Sequence, residues 1–239
     1  MNRIIKCIPN TITTCNLLSG CIAIIFSFSL FEISSGLEGW KWVMIFIGMA
    51  AVFDFCDGLA ARTLKAYSDI GKELDSLSDL VSFGVAPAML MFNLISSLYP
   101  ASPLRFLALL IPAMGALRLA RFNVDDRQTS TFIGLPIPAN AIFFIGLAAT
   151  LISHWSRVSP WLVAIALIIV PILMVSDIPM FSLKFKNLRF QGNFPRYFII
   201  ICTIIFEVCM GVSGLLWIII LYVLTSIVAC RRPSSPRKG

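Results

Sequence analysis

The sequence predicts an all-α protein: a polytopic transmembrane helical bundle of about eight spans. Three observations carry this. Of 239 residues 58% are hydrophobic and only 13% charged, with a mean hydropathy of +0.90, outside the range of soluble domains. Apolar runs recur along the whole chain, each near the roughly 20 residues needed to cross about 30 Å of hydrocarbon. The basic residues, finally, are distributed unevenly between the two sides that such spans define.

Taken in order, the apolar runs between charged or Pro/Gly breaks fall at 12–32, 41–62, 74–98, 104–123, 136–154, 160–177, 195–211 and 213–230. The segment before the first run, "MNRIIKCIPN", is basic and amphipathic, but no small-residue cleavage site follows, so it reads as retained and not as a signal peptide. The second run ends at Arg62, and Gly71 closes the loop before the third. Pro136 and Pro138 set how the fifth helix enters the membrane. Residues 195–230 form nearly one apolar run, which as a single helix of about 54 Å is too long for one crossing; Gly211 and Gly214 mark a hairpin within it. Six or seven spans are the alternative counts.

An even number of spans places both termini on one side. Sixteen of the 19 lysines and arginines then fall on that side and three, Lys41, Arg105 and Arg157, on the other. The positive-inside rule makes the first side cytoplasmic. The net charge of +7 is therefore mainly a topology signal and not a nucleic-acid footprint. The tail "RRPSSPRKG" reads as disordered, and anionic lipid is a secondary partner for it. The seven cysteines form no CxxC pair and lie mostly in apolar helices, where a thiol acts as a small hydrophobe.

Against this background the stretch "DFCDGLAARTLKAYSDIGKELDSLSD" stands apart, because it holds six of the twelve acidic residues: Asp54, Asp57, Asp69, Glu73, Asp75 and Asp79. Asp54 and Asp57 occupy the last turns of the second predicted helix, and Asp75 and Asp79 the first turns of the third. Spacings of three and four put each pair on one helical face, so four carboxylates can converge near the cytoplasmic interface. A carboxylate at the centre of a membrane helix costs about 2.5 to 3.5 kcal/mol, less near the interface. Arg62, Lys65 and Lys72 are too few to offset the cluster, whereas Mg²⁺ or Mn²⁺ take oxygen ligands of this kind. Asp69 and Glu73, in the loop proper, read as solvated. Gly58 leaves backbone open to a ligand, and Arg62 offers a donor fork suited to phosphate. Two metal ions, an arginine and bare backbone describe a phosphate-handling site.

Asp54, Asp57, Gly58, Ala61 and Arg62 spell DxxDGxxAR; eight residues later Gly71, Asp75 and Asp79 spell GxxxDxxxD. This resembles the signature of the CDP-alcohol phosphotransferase family without departure. The resemblance implies an integral membrane enzyme that replaces the CMP of a CDP-linked lipid or alcohol with another alcohol. It implies a core of six helices, Mg²⁺ or Mn²⁺ on the aspartates, and a homodimer. By position, Asp54, Asp57, Asp75 and Asp79 would be metal ligands, with Asp79 also the general base. Asp57, Gly58, Ala61, Arg62 and Gly71 would shape the CDP pocket, Arg62 toward the diphosphate. Residues 1–180 would form the catalytic core, 181–230 an additional transmembrane hairpin and 231–239 a basic cytoplasmic tail.

Three neighbouring stretches, "SDLVSFGVAPA" (78–88), "GALRLARFNV" (115–124) and "FIGLPIPANA" (132–141), resemble the phosphatidylserine synthase branch of that family. They imply CDP-diacylglycerol as donor and L-serine as acceptor. Arg118 and Arg121, three apart at the cytoplasmic end of the fourth helix, can meet a carboxylate or phosphate, or else anchor the helix end by snorkelling. Asn123 and Asn140 can bond an amino acid or only neighbouring backbone. His154 lies a membrane thickness from the aspartates, which disfavours a histidine nucleophile, and Glu207 reads as a polar contact between helices or subunits. The same chemistry with glycerol 3-phosphate or inositol phosphate as acceptor is the nearest alternative. A divalent-cation transporter would need acidic residues at successive depths, and none are found.

Overall fold

The computed structural model describes residues 3–124, 132–154, 158–180 and 193–231. The tail from 232 onward, the stretch 181–192 that opens the expected hairpin segment, and Arg127, Arg157, Lys184, Lys186 and Arg189 of the topology argument lie outside the described residues.

The first two helices, α1 (Arg3–Ser27) and α2 (Gly39–Thr63), are joined by a two-residue ladder, β1 (Ile33–Ser34) and β2 (Leu37–Glu38). Its turn requires left-handed backbone at Ser35 (φ 50°) and Gly36 (φ 82°), the twist that suits a tight hairpin. Aromatic rings close this end: Phe26 stacks on Trp42 and Phe46 at 5.6 and 5.8 Å, while the Trp42 indole donates to the Ser34 carbonyl at 2.8 Å. Such rings suit a membrane interface. The hairpin makes α1 and α2 antiparallel neighbours along their length, so the start of α1 meets the end of α2.

A short connection leads to α3 (Asp69–Asp79), capped by Ser68, whose hydroxyl accepts from the Gly71 amide at 3.0 Å. Gly71 thus lies in the first turn of the third helix and does not close the loop before it, because the Ser68 cap starts the helix five residues earlier than the apolar run does. A π-helical turn, Leu80–Val85, separates α3 from α4 (Ala86–Leu98). Pro87, in the first turn of α4, has no N–H to continue the ladder, and a widened turn ahead of it accommodates the loss.

After a 3₁₀ stretch (Pro103–Leu109) come α5 (Leu110–Val124), then β3 (Phe132–Ile133), α6 (Ile137–His154), α7 (Pro160–Val175) and β4 (Pro179–Met180). The β3–β4 ladder ties the end of α7 to the start of α6. Last are α8 (Phe194–Met210) and α9 (Gly214–Arg231), separated where expected: Gly211 has φ 56°, and Gly214 sits directly on the Phe206 backbone. Among the described residues six stretches are long and apolar enough to cross a membrane. The last of them, Phe194–Val228, is folded into two helices, and Pro160–Val175 is a shorter apolar helix.

Lipid is as apolar as leucine, so helix association here rests on close packing of small residues. Gly20 of α1 lies against Ser82, Ile137 inserts between Gly84 and Gly115, and Gly146 of α6 receives the α9 backbone at Leu215 and Leu216. The core runs along α4 and α6, through Phe83, Met91, Leu94, Phe144 and Leu151.

Candidate active site

The site forms where α1 packs against both α2 and α3. α1 packs on α2, on α3 and on the π turn, while α2 and α3 hardly touch each other. Their carboxylates nevertheless meet: one oxygen from each of Asp54, Asp57 and Asp75 lies within 4.8 Å of the others. Asp57 and Asp79 are buried, at 6% and 9% exposure, and Asp54 and Asp75 are half-buried. Asp79 stands one helical turn beyond Asp75 and is not part of the three-carboxylate group; its Oδ1 accepts from Asn16 Nδ2 at 3.2 Å. Three of the four expected carboxylates therefore share one cage, with the fourth alongside. Asp69 and Glu73 are exposed, as expected of solvated acids, but they lie in the first turns of α3 and not in the loop, because the Ser68 cap starts the helix ahead of them.

The electrostatics demand a counter-charge. Two unit charges 4.8 Å apart repel by about 3.5 kcal/mol at an effective dielectric of about 20, so three such pairs cost on the order of 10 kcal/mol. That approaches the whole stability of a typical domain. Among the described residues the one ion pair is Lys41–Glu38, at the other end of α2, and Asp75 Oδ1 is buried without a hydrogen-bond partner. Hard oxygen donors with an orphaned, inward oxygen fit Mg²⁺ or Mn²⁺.

The open backbone is also present. At Gly58 the nearest atom to a would-be Cβ is Arg62 Nη2, at 3.8 Å, so the guanidinium folds back beside the bare glycine. Gly71 faces the Asn10 carboxamide oxygen and the Ser68 hydroxyl, each 3.0 Å from a would-be Cβ. The cluster thus has one open glycine, Gly58, and one donor fork beside it, while the space at Gly71 is taken by Asn10 and Ser68.

On the other side lies a cavity of about 700 Å³, bordered by Arg118, Arg121, Ile133, Met174, Ser176 and Asp177. Arg118 is within electrostatic range of both Asp79 and Tyr222 of α9 and keeps a buried Nε without a partner. The other two acceptor-side candidates are engaged elsewhere. Arg121 donates to the Val175 carbonyl at 2.9 Å, which ties α5 to the end of α7. Asn123 donates to Ser76 Oγ at 3.0 Å, and its carbonyl accepts from Lys72 at 3.1 Å. Asn140 is fully buried with neither carboxamide atom paired. His154 is exposed at the end of α6, and Glu207 Oε1 is buried in α8 without a partner.

Sequence reasoning missed the contribution of α1. Thr13 Oγ1 donates to Asp57 Oδ2, and Asn16 holds Asp79. The available signal was a buried stripe of small and polar residues, Thr13, Asn16, Ser19, Gly20, Ala23 and Ser27, at helical spacing in an apolar helix.

Comparison with known proteins agrees with this geometry. The model of the CDP-alcohol phosphatidyltransferase family matches residues 6–177. The chain is 41% identical over 172 residues to the CDP-diacylglycerol–serine O-phosphatidyltransferase of Bacillus subtilis, covering 72% of this chain and 88% of that protein. It is 34% identical over 216 residues to the protein of the same name from Methanocaldococcus jannaschii, covering 89% and 87%. An archaetidylserine synthase from Methanothermobacter thermautotrophicus is 33% identical over 177 residues, covering 72% and 68%. A match over most of the chain, with the carboxylate cage inside it, makes this protein a member of the CDP-alcohol phosphatidyltransferase family.

Proposed function

We infer that this chain transfers the phosphatidyl group of CDP-diacylglycerol to the hydroxyl of L-serine and releases CMP. The observation that carries the reading is the meeting of Asp54, Asp57 and Asp75 beside Asp79, with Arg62 and the open backbone of Gly58 next to them. The choice of acceptor rests on the relatives. Their names differ in the lipid, diacylglycerol or archaetidyl, and agree on serine.

In the proposed reaction the serine oxygen attacks the phosphorus that carries diacylglycerol, the bond from that phosphorus to the CMP oxygen breaks, and CMP leaves in line. Asp54, Asp57, Asp75 and Asp79 would hold divalent ions, Mg²⁺ or Mn²⁺ and two per site, which would supply neutralisation of the diphosphate and of the charge that develops on CMP. Asp57, Gly58, Ala61, Arg62 and Gly71 form the CDP pocket, and Arg62 offers its fork to the diphosphate. Asp79 takes the serine hydroxyl proton, a step typically worth a hundredfold or more. Of the acceptor-side candidates Arg118 is the one with a buried donor left unmet, so it receives the serine carboxylate, while Arg121 and Asn123 brace the wall.

The same reading places the enzyme in the cytoplasmic membrane with both termini and the site on the cytoplasmic side, and makes it a homodimer. Residues 1–180 are its catalytic core, 181–230 an added hairpin and 231–239 a basic tail. Purified protein given CDP-diacylglycerol, Mn²⁺ and, in turn, serine, glycerol 3-phosphate or inositol phosphate tests the assignment. CMP release should follow serine; release that ignores serine and follows another alcohol refutes it.

A further inference from the structure

Among the described residues Asn16 is the one buried carboxamide hydrogen-bonded to the proposed base. It is fully buried, and its Nδ2 donates to Asp79 Oδ1 at 3.2 Å while its Oδ1, also buried, has no partner. The opposite orientation would set two oxygens against each other, so the hydrogen-bond network fixes this one. Backbone contacts hold the residue in place: Ser82 Oγ donates to the Asn16 carbonyl at 2.9 Å, and one helical turn on, Gly20 lies against Ser82 without room for a Cβ. An unmet buried acceptor in so rigid a position is costly unless a donor arrives with the substrate.

The identity of that donor follows from the neighbouring chemistry. On L-serine the hydroxyl and the ammonium sit on adjacent carbons. A serine whose hydroxyl meets Asp79 therefore brings its ammonium within reach of the group hydrogen-bonded to Asp79. A neutral carbonyl oxygen accepts from an ammonium without adding a fifth negative charge to Asp54, Asp57, Asp75 and Asp79. An acceptor alcohol with no amine leaves Asn16 Oδ1 unpaired, and sites with an unpaired buried polar group discriminate strongly.

We propose that Asn16 is a specificity-determining residue of the acceptor site, its Oδ1 receiving the α-ammonium of serine while its Nδ2 orients Asp79. The proposal rests on the serine reading above and assigns to α1 a substrate contact outside the aspartate signature.

The test compares L-serine with 3-hydroxypropionate, which is serine without its amine, using CDP-dioleoylglycerol in detergent. The wild-type protein should favour serine in kcat/KM by about tenfold or more, the factor of one hydrogen bond to a charged group. Asn16→Leu, which fills the space without an oxygen, should bring the two acceptors within about threefold of each other while the KM for the CDP-lipid stays unchanged. Asn16→Asp, which keeps an oxygen there, should keep the preference at a lower kcat. Equal use of both acceptors by the wild type overturns the proposal, as does Asn16→Leu retaining the serine preference or slowing both acceptors equally. Should Asn16→Leu give no turnover, loss of the preference in Asn16→Asp overturns it instead. Wild-type CMP release that does not depend on serine is a separate result, seen before any variant is made, and refutes the functional reading itself.

Discussion

Replacing Thr13 by valine probes the support that α1 gives to the carboxylate cage. The Thr13 hydroxyl has a single proton within reach of two acceptors, Asp57 Oδ2 and the Pro9 carbonyl at 3.0 Å. The Pro9 carbonyl, one helical turn back, also faces the Thr13 amide in the ordinary helix pattern, so valine leaves it supplied. Asp57 is buried at 6% exposure and keeps only the Gly58 amide as a donor once the hydroxyl is gone. Valine matches threonine in shape, which keeps the α1–α2 packing and isolates the lost bond. A hydrogen bond to a charged group is worth about 1.5 to 3 kcal/mol, or roughly 10- to 150-fold in affinity. Groups that orient metal ligands from behind show similar losses, about 10- to 100-fold. Mn²⁺ affinity of Thr13→Val, followed by the paramagnetic resonance of free Mn²⁺ in detergent, should fall at least about tenfold. Thr13→Ser, which keeps the hydroxyl, should stay within about threefold of wild type. An unchanged Mn²⁺ affinity in Thr13→Val would refute the view that α1 orients Asp57 as a ligand.

Other perturbations test neighbouring parts. Asp75→Asn removes one of the three converging carboxylates and should lower CMP release at least about a hundredfold with Mn²⁺ binding weakened; near-wild-type turnover removes Asp75 from the ligand set. Arg62→Ala should raise the KM for CDP-diacylglycerol about tenfold and leave that for serine alone, since the guanidinium stands beside Gly58 on the CDP side; an effect on serine alone contradicts that placement. In Gly20→Ala the new Cβ meets the Ser82 side chain and backbone, an overpacking cost of about 1 to 3 kcal/mol. Thermal unfolding in detergent should show that loss, and activity measured well below the transition should fall as well, because the same clash shifts Asn16 from Asp79. Chelation by EDTA should stop CMP release, and added Mg²⁺ or Mn²⁺ should restore it; activity that survives chelation argues against a metal-assisted displacement.

Much of the architecture was legible because lipid simplifies the code. Long apolar runs give the helices, and Gly211 breaks the last run with a positive φ at the expected position. The carboxylates were legible for the converse reason: charge inside an apolar chain is costly, so six acids in one stretch demand a partner. Helix boundaries were less so. The Ser68 cap and the π turn ahead of Pro87 belong to backbone hydrogen bonding, which an apolar run does not report.

The α1 contribution was hidden for a deeper reason. Spacing along one helix states which residues share a face, and it correctly paired Asp54 with Asp57 and Asp75 with Asp79. It does not state that a third helix packs against both pairs. With α1 packed against both helices, its side chains line the cage, and the residues able to serve are those that hydrogen-bond carboxylates without adding charge. Threonine and asparagine meet that requirement, and for the same reason they leave little mark in a hydropathy profile. Arg121 and Asn123 show the reverse case. As polar residues at a helix end they read as ligand groups, yet one caps the end of α7 and the other braces Ser76 of α3. In a membrane bundle every polar side chain must be satisfied somewhere, so polarity alone marks a site poorly. The sharper mark is a buried polar atom held rigidly and left unmet, and Asp75 Oδ1, Asn16 Oδ1 and Arg118 Nε, all on the helices that carry or flank the cage, are three such atoms.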